Sequence, residues 1–166
     1  MQKKLINIYL ILSACMFFVD RITKYLALNY LDSFNIINRF LKFELILNRG
    51  ISFGLFDSQS PIVFSLVTLM VILITLYLGL YSINRFKDNN LIFGETLILT
   101  GSVSNILDRI LHGGVIDFVA VNISDFIPGA FFNLSDVFIS LGVLIVFVQF
   151  YKVDNLDMQK LNIKNK

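Results

Sequence analysis

Two aspartates stand where an aspartate is costly. Asp117 lies inside VIDFV, a run of β-branched and aromatic residues, and Asp136 closes FFNLSD at the mouth of a long apolar run. Neither has an obvious basic partner nearby in sequence. Two carboxylates brought together in a partly dry site cannot comfortably both ionise, so one holds a proton while the other is able to take one from water. Such a pair is suited to amide hydrolysis: the ionised member acts as general base on a water, and the protonated one polarises the carbonyl and later assists the leaving amine. Asp136, at the start of an expected helix, is the expected ionised member because the helix dipole favours its charge. A plain first-turn or N-cap acid is the alternative for Asp136. It does not explain Asp117.

More polar residues gather in GSVSNILDRILHGGVIDFV. If a helix continues to Arg109, then Gly101, Asn105, Asp108 and Arg109 fall on one of its faces. Glycine and serine there permit close helix packing and Asn105 an interhelical hydrogen bond, while Asp108 and Arg109 read as an ion pair at the membrane surface. Upstream, Asp20 and Lys24 are spaced i, i+4 with Arg21 between them. They form either an interfacial ion pair whose basic side chains reach for headgroups, or a pair in which Asp20 points inward and orients a site residue. A serine mechanism is disfavoured, because the single histidine, His112, sits in LHGG and no G-x-S-x-G occurs. One cysteine and one histidine give no metal-ligand spacing.

These residues must be held by membrane elements. The chain has 166 residues, 56% of them hydrophobic and only 16% charged, too little polar surface to coat a soluble globule. Four segments are long and apolar enough to cross a bilayer as helices, about 5–25, 61–83, 91–107 and 131–151. The net charge of +2 points to no nucleic acid. Lys3 and Lys4, Arg85 and Lys87, and Lys152, Lys160, Lys164 and Lys166 all fall on one side of a four-span chain, which the positive-inside rule makes the cytoplasm. Both termini and the tail 152–166 are therefore expected there, and the acids face outward.

The outer connections also carry pattern. FLKFELIL alternates Phe40, Lys42, Glu44, Ile46 against Leu41, Phe43, Leu45, Leu47, and VIDFVAVNI is rich in β-branched residues, so both read as strands of a small outer sheet. The expected fold is an integral membrane, mainly α protein: a four-transmembrane-helix bundle with a small extracytoplasmic β-sheet, one domain over 1–166. MQKKLINIYLILSAC also fits a lipoprotein signal peptide, but the apolar run continues through MFFV, which favours Cys15 as a residue within the first span.

Taken together, DRITK, NRGISFGLF, GSVSNILDRILHGGVIDFV and FFNLSD resemble, in this order, the bacterial lipoprotein signal peptidases (signal peptidase II), which are intramembrane aspartic peptidases. The likeness covers most of the chain, from Asp20 to Gly142. It implies that Asp117 and Asp136 are the catalytic pair. It implies a substrate-facing role for Asp20, Asn48, Gly50, Asn105, Arg109 and Asn133, with Lys24 and Asp108 as structural support. The segment Gly50 to Gly54 is expected to cradle the substrate and close over it. Ser104 stands where that family usually has glycine, Ser135 where alanine is common, and Ile51 and Ser52 where two alanines are frequent. The implied substrate is a prolipoprotein whose signal peptide spans the bacterial cytoplasmic (inner) membrane and is cut before a diacylglyceryl-modified cysteine. Membrane lipids and globomycin-like inhibitors are the other implied partners, with no metal or organic cofactor; the pattern implies no particular oligomeric state. A small proton- or ion-coupled transporter is the rival, with Asp20, Asp108, Asp117 and Asp136 as a relay. Absent repeats and absent mid-membrane breaks weigh against it.

Overall fold

The computed structural model describes residues 2–31, 35–38, 40–50, 60–121 and 130–164, with side chains left out at 35–36 and beyond 152. Its elements run α1 (Gln2–Tyr30), β1 (Asn35–Ile36), β2 (Leu41–Asn48), α2 (Pro61–Lys87), α3 (Phe93–His112), β3 (Val115–Val121), β4 (Ala130–Phe132) and α4 (Leu134–Lys164). Ile51, Ser52 and Gly54, and the end of the expected VIDFVAVNI strand, lie outside the described residues.

Among the described residues, three helices are long and apolar enough to cross a membrane: α1, α2 and α4 over Leu134–Lys152. α2 begins with Pro61 at its first turn, where a missing N–H costs nothing, and ends with Arg85 and Lys87 in its last turn, where cations suit the helix dipole. These helices turn large apolar side chains outward, among them Phe18 on α1, Ile74 and Tyr77 on α2, and Phe147 on α4. Cys15 lies within α1 and is exposed.

α3 covers the expected third span but is not among the three apolar helices, because it carries Glu95, Asp108 and Arg109. Its surroundings explain its polarity. It packs against α1, α2 and α4, and Glu95, Thr96, Thr100, Ser104, Asn105, Asp108 and Arg109 are all buried. The face turned to the other helices needs no apolar coat, while Val103, Ile110 and Leu111 on the other face are exposed. Against α4 it approaches closely through glycine. A Cβ on Gly101 would lie 2.6 Å from the Ser135 carbonyl oxygen, and one on Gly142 would lie 2.6 Å from that of Gly94.

The fourth span was expected from Phe131. Ala130–Phe132 instead forms β4, and the helix starts at Leu134 and continues into the tail as far as Lys164. Aromatic residues suit either state. Asn133 decides where the helix begins, accepting a hydrogen bond from the Asp136 N–H (3.1 Å) while Asp136 Oδ2 accepts from the Asn133 N–H (3.0 Å). That is a reciprocal capping box.

The four strands pair antiparallel in the order β1-β2-β3-β4, and β3 packs on α1 and α3. The strict alternation expected for β2 does not hold throughout. Phe43 pairs with Val119 but Ile46 pairs with Asp117, so β2 contains one residue more than β3 over this stretch. This β-bulge shifts the phase of the strand, so that Ile46 and Asn48 share a face with Asp117.

Candidate active site

Asp117 and Asp136 meet through amides. Asp117, on β3, is fully buried; its Oδ2 accepts from Asn48 Nδ2 (2.9 Å) and its Oδ1 from Asn133 Nδ2 (2.7 Å). Asp136, in the first turn of α4, is half-buried, and its Oδ1 accepts from Asn105 Nδ2 (2.8 Å). Asn133 also donates to Asn105 Oδ1 (3.2 Å), which joins β2, α3, β3 and α4 around the two carboxyl groups. Asn48 is a diagonal neighbour of Asp117 across the β2–β3 ladder, and it reaches Asp117 because the bulge sets its face. Its Oδ1 accepts from the Gly50 N–H (2.9 Å), so the chain turns directly after the strand.

Burial pushes the Asp117 carboxyl up from 3.8 to about 6. The charge of Asp136 acts in the same direction, while the two amide donors and the Lys24 charge oppose it. Asp117 therefore keeps its proton to a higher pH than an ordinary aspartate. A cavity of about 320 Å³ opens beside Asp136, with apolar walls from Phe131, Phe132, Val137 and Leu141.

Beneath the carboxyl groups lies a second polar layer. Lys24, 1% exposed, is ion-paired with Asp20 (3.0 Å) and Asp108 (2.7 Å), and Arg21 pairs with the same two acids at 3.2 and 2.6 Å. Of the two expected arrangements for Asp20, the inward one is found, and Lys24 is buried with it. Asp20 also accepts from Ser104 Oγ (2.6 Å) and from the Ser135 N–H (2.9 Å), so a side chain of α1 satisfies an open donor at the start of α4.

The expected ion pair of Asp108 with Arg109 does not form. Neighbours on a helix diverge by about 100°. Asp108 turns to α1, whereas Arg109 donates to the carbonyls of Gly50 and of Arg49 (the latter at 3.4 Å). The Arg49 and Arg109 guanidiniums both stack on Phe64, at 5.1 and 5.9 Å. Phe64 carries no signal in the sequence that separates it from other apolar residues of its helix. Ser104 was legible only as a small residue; its hydroxyl became meaningful once Asp20 faced it.

The Signal peptidase (SPase) II family model matches residues 12–152. A lipoprotein signal peptidase of Clostridium tetani is 30% identical over 146 residues, 86% of this chain and 92% of that protein. One of Caldanaerobacter subterraneus is 33% identical over 82% of this chain and 91% of its own, and one of Wigglesworthia glossinidia brevipalpis is 37% identical over 78% and 85%. A bacterial membrane enzyme solved by the in meso method at 2.3 Å superposes with a TM-score of 0.70 at 24% identity, covering 89% of each chain. None of these likenesses supports the transporter alternative.

Proposed function

The chain belongs to the signal peptidase II family and removes signal peptides from prolipoproteins, and from that premise we propose that it is an aspartic endopeptidase whose catalytic pair is Asp117 and Asp136. The observation that carries this reading is the pair of carboxyl groups joined through Asn105 and Asn133, one of them fully buried and both at the edge of the helical bundle. A water between them loses a proton to the ionised Asp136 and attacks the scissile carbonyl carbon. Asp117 donates its proton to the carbonyl oxygen. When the tetrahedral intermediate collapses, the C–N bond breaks, the proton held by Asp136 goes to the leaving amine, and one hydroxyl of the intermediate returns a proton to Asp117 as the new carboxyl group forms. The raised pKa of Asp117 supports its role as the protonated partner.

The scissile bond is the one before a diacylglyceryl-modified cysteine, and the apolar cavity beside Asp136 receives an apolar part of the substrate. By the family resemblance, Asn48, Gly50, Asn105, Arg109 and Asn133 are the residues on the substrate side of the pair. Asp20 is fully buried with its oxygens engaged, and it acts with Lys24 and Asp108 below the site instead of against substrate. α3 is the fourth crossing, with its polar face packed against the other three helices. Gln2 donates to Asn89 Oδ1 (2.7 Å), which supports placing the N-terminus and the α2–α3 turn at one end, the cytoplasmic end of an inner-membrane protein. The carboxyl groups and the sheet then lie at the outer face, accessible to lipid-anchored substrates and to globomycin-like inhibitors.

The test is cleavage of a diacylglyceryl-modified prolipoprotein by purified wild type, Asp117→Asn and Asp136→Asn in detergent, with folding followed by thermal melting. Loss of cleavage in both folded variants is expected. Full activity in either one overturns the assignment.

A further inference from the structure

Each carboxyl group is read by amides, and an amide has two ends. Rotating an asparagine side chain by half a turn replaces a donor with an acceptor at nearly the same place, so something must hold each one in a single orientation. For Asn48 and Asn133 a backbone N–H does this, that of Gly50 in one case and that of Asp136 in the other, each donating to the Oδ1. Asn105 has no backbone donor among its described contacts. Its Oδ1 accepts from Lys24 Nζ at 2.8 Å and, at a longer 3.2 Å, from Asn133 Nδ2. A lysine ammonium has three N–H donors and no acceptor capacity. The other two serve Asp20 and Asp108, so Lys24 is fully engaged and its third donor selects an oxygen at Asn105.

We propose that Lys24 is a positioning residue for the carboxyl pair: it locks the Asn105 amide so that an N–H, not the carbonyl oxygen, faces Asp136 Oδ1. The inference rests on the aspartic reading above and assigns Lys24 a part in the reaction beyond holding helices together. Lys24 itself touches neither carboxyl group of the pair. Its effect passes through one amide, and the buried Asp20 and Asp108 hold its ammonium in place. With the amide turned the other way, two oxygens would face each other across the Asn105–Asp136 contact, and the ionised general base would lose a donor. The charged groups that act on Asp136 are Lys24 and Asp20 from α1, Arg109 from α3 and Asp117 from β3. The experiment must therefore separate the amide route from a direct effect of the lysine charge.

A double-variant cycle does so. Wild type, Lys24→Met, Asn105→Ala and the double variant are assayed in detergent on a diacylglyceryl-modified prolipoprotein across pH. In the wild-type background, Lys24→Met should lower kcat about 10- to 100-fold, the equivalent of one hydrogen bond to a charged group, with KM little changed. It should also move the acid limb of the kcat profile to higher pH. In the Asn105→Ala background, the same lysine change should leave only the smaller shift due to the lysine charge itself. An acid limb that stays in place, or a shift just as large without Asn105, overturns the proposal. If Lys24→Met does not fold, Lys24→Met/Asp20→Asn keeps the buried cluster neutral and takes its place. Asn105→Asp, which leaves the lysine its ion pairs but turns an oxygen toward Asp136, must shift the same limb, and a normal limb in that variant is equally fatal. Activity in Asp117→Asn or Asp136→Asn would sink the aspartic reading itself, whereas inactive aspartate variants with an unmoved limb sink only the role of Lys24.

Discussion

Replacing Asp117 with asparagine should make the protein more stable at alkaline pH and less stable in acid. Burial, and after it the charge of Asp136, lifts the carboxyl from 3.8 to about 6. A carboxyl whose folded pKa lies above its unfolded value contributes stability that is fully present below the unfolded value and is lost as pH rises through the folded one. Here that window runs from 3.8 to about 6. A gap of roughly two pH units corresponds to about 3 kcal/mol lost by pH 8. Asparagine does not ionise and avoids the loss. Its NH₂ must, however, face one of two donors, Asn48 Nδ2 or Asn133 Nδ2, now 2.9 and 2.7 Å from the carboxylate oxygens. That mismatch costs about 1–2 kcal/mol at every pH. The variant should therefore be about 1–2 kcal/mol more stable at pH 8 and less stable by a similar amount near pH 4, with the sign changing around pH 5. Thermal melts of both proteins in detergent read this out at roughly 2–4 °C per kcal/mol. In an Asp136→Asn background the alkaline gain should shrink without vanishing, because burial is the larger cause. Equal destabilisation at pH 8 and pH 4 would refute the raised carboxyl and, with it, the reason for giving Asp117 the proton.

Three other outcomes follow from packing and pairing. Gly101→Ala should drive a methyl against the Ser135 carbonyl (2.6 Å) and Ile139 Cγ1 (2.8 Å), lowering stability by about 1–3 kcal/mol and activity with it, as melting and cleavage would show. Ser104→Ala removes the hydroxyl that Asp20 accepts from and should cost about 1–3 kcal/mol in denaturation while leaving KM unchanged. At the opposite end of the bundle, Arg85 pairs with the fully buried Glu95. Arg85→Ala should cost about 3–5 kcal/mol by stranding that carboxylate, and Arg85→Met/Glu95→Met should recover most of the melting temperature.

Legibility in the sequence followed the range of each interaction. Pro61 marks the start of α2 because that signal is local to the helix, whereas Arg85 and Lys87, read as a link after a span ending at 83, prove to lie in its last turn. Asp117 stood out because an acid inside VIDFV conflicts with its neighbours. The start of α4 was written in Asn133 and Asp136, three apart, but the preceding aromatics matched a membrane span equally well. Partners across elements were not legible. Asp108 choosing Arg21 over Arg109, Asp20 meeting the Ser135 N–H, and both guanidiniums on Phe64 depend on which helices become neighbours. Glu95 was overlooked for the same reason, since its partner Arg85 lies on another helix and read only as a topological charge.

The bulge in β2 absorbs a residue for which the ladder to β3 has no place. The stretch between Phe43 and Ile46 holds two residues facing one on β3. A substitution at Glu44 or Leu45 leaves the phase of the strand intact. A regular ladder continued from the Phe43–Val119 pair would place Leu45 opposite Asp117 and turn Asn48 to the far side of the sheet. The sheet would be more regular, and Asp117 would lack one of its two amide donors. The irregularity is thus what lets a strand with one residue in excess still present Asn48 to Asp117; deleting that residue would remove the bulge and leave Ile46 opposite Asp117 and Asn48 opposite Val115.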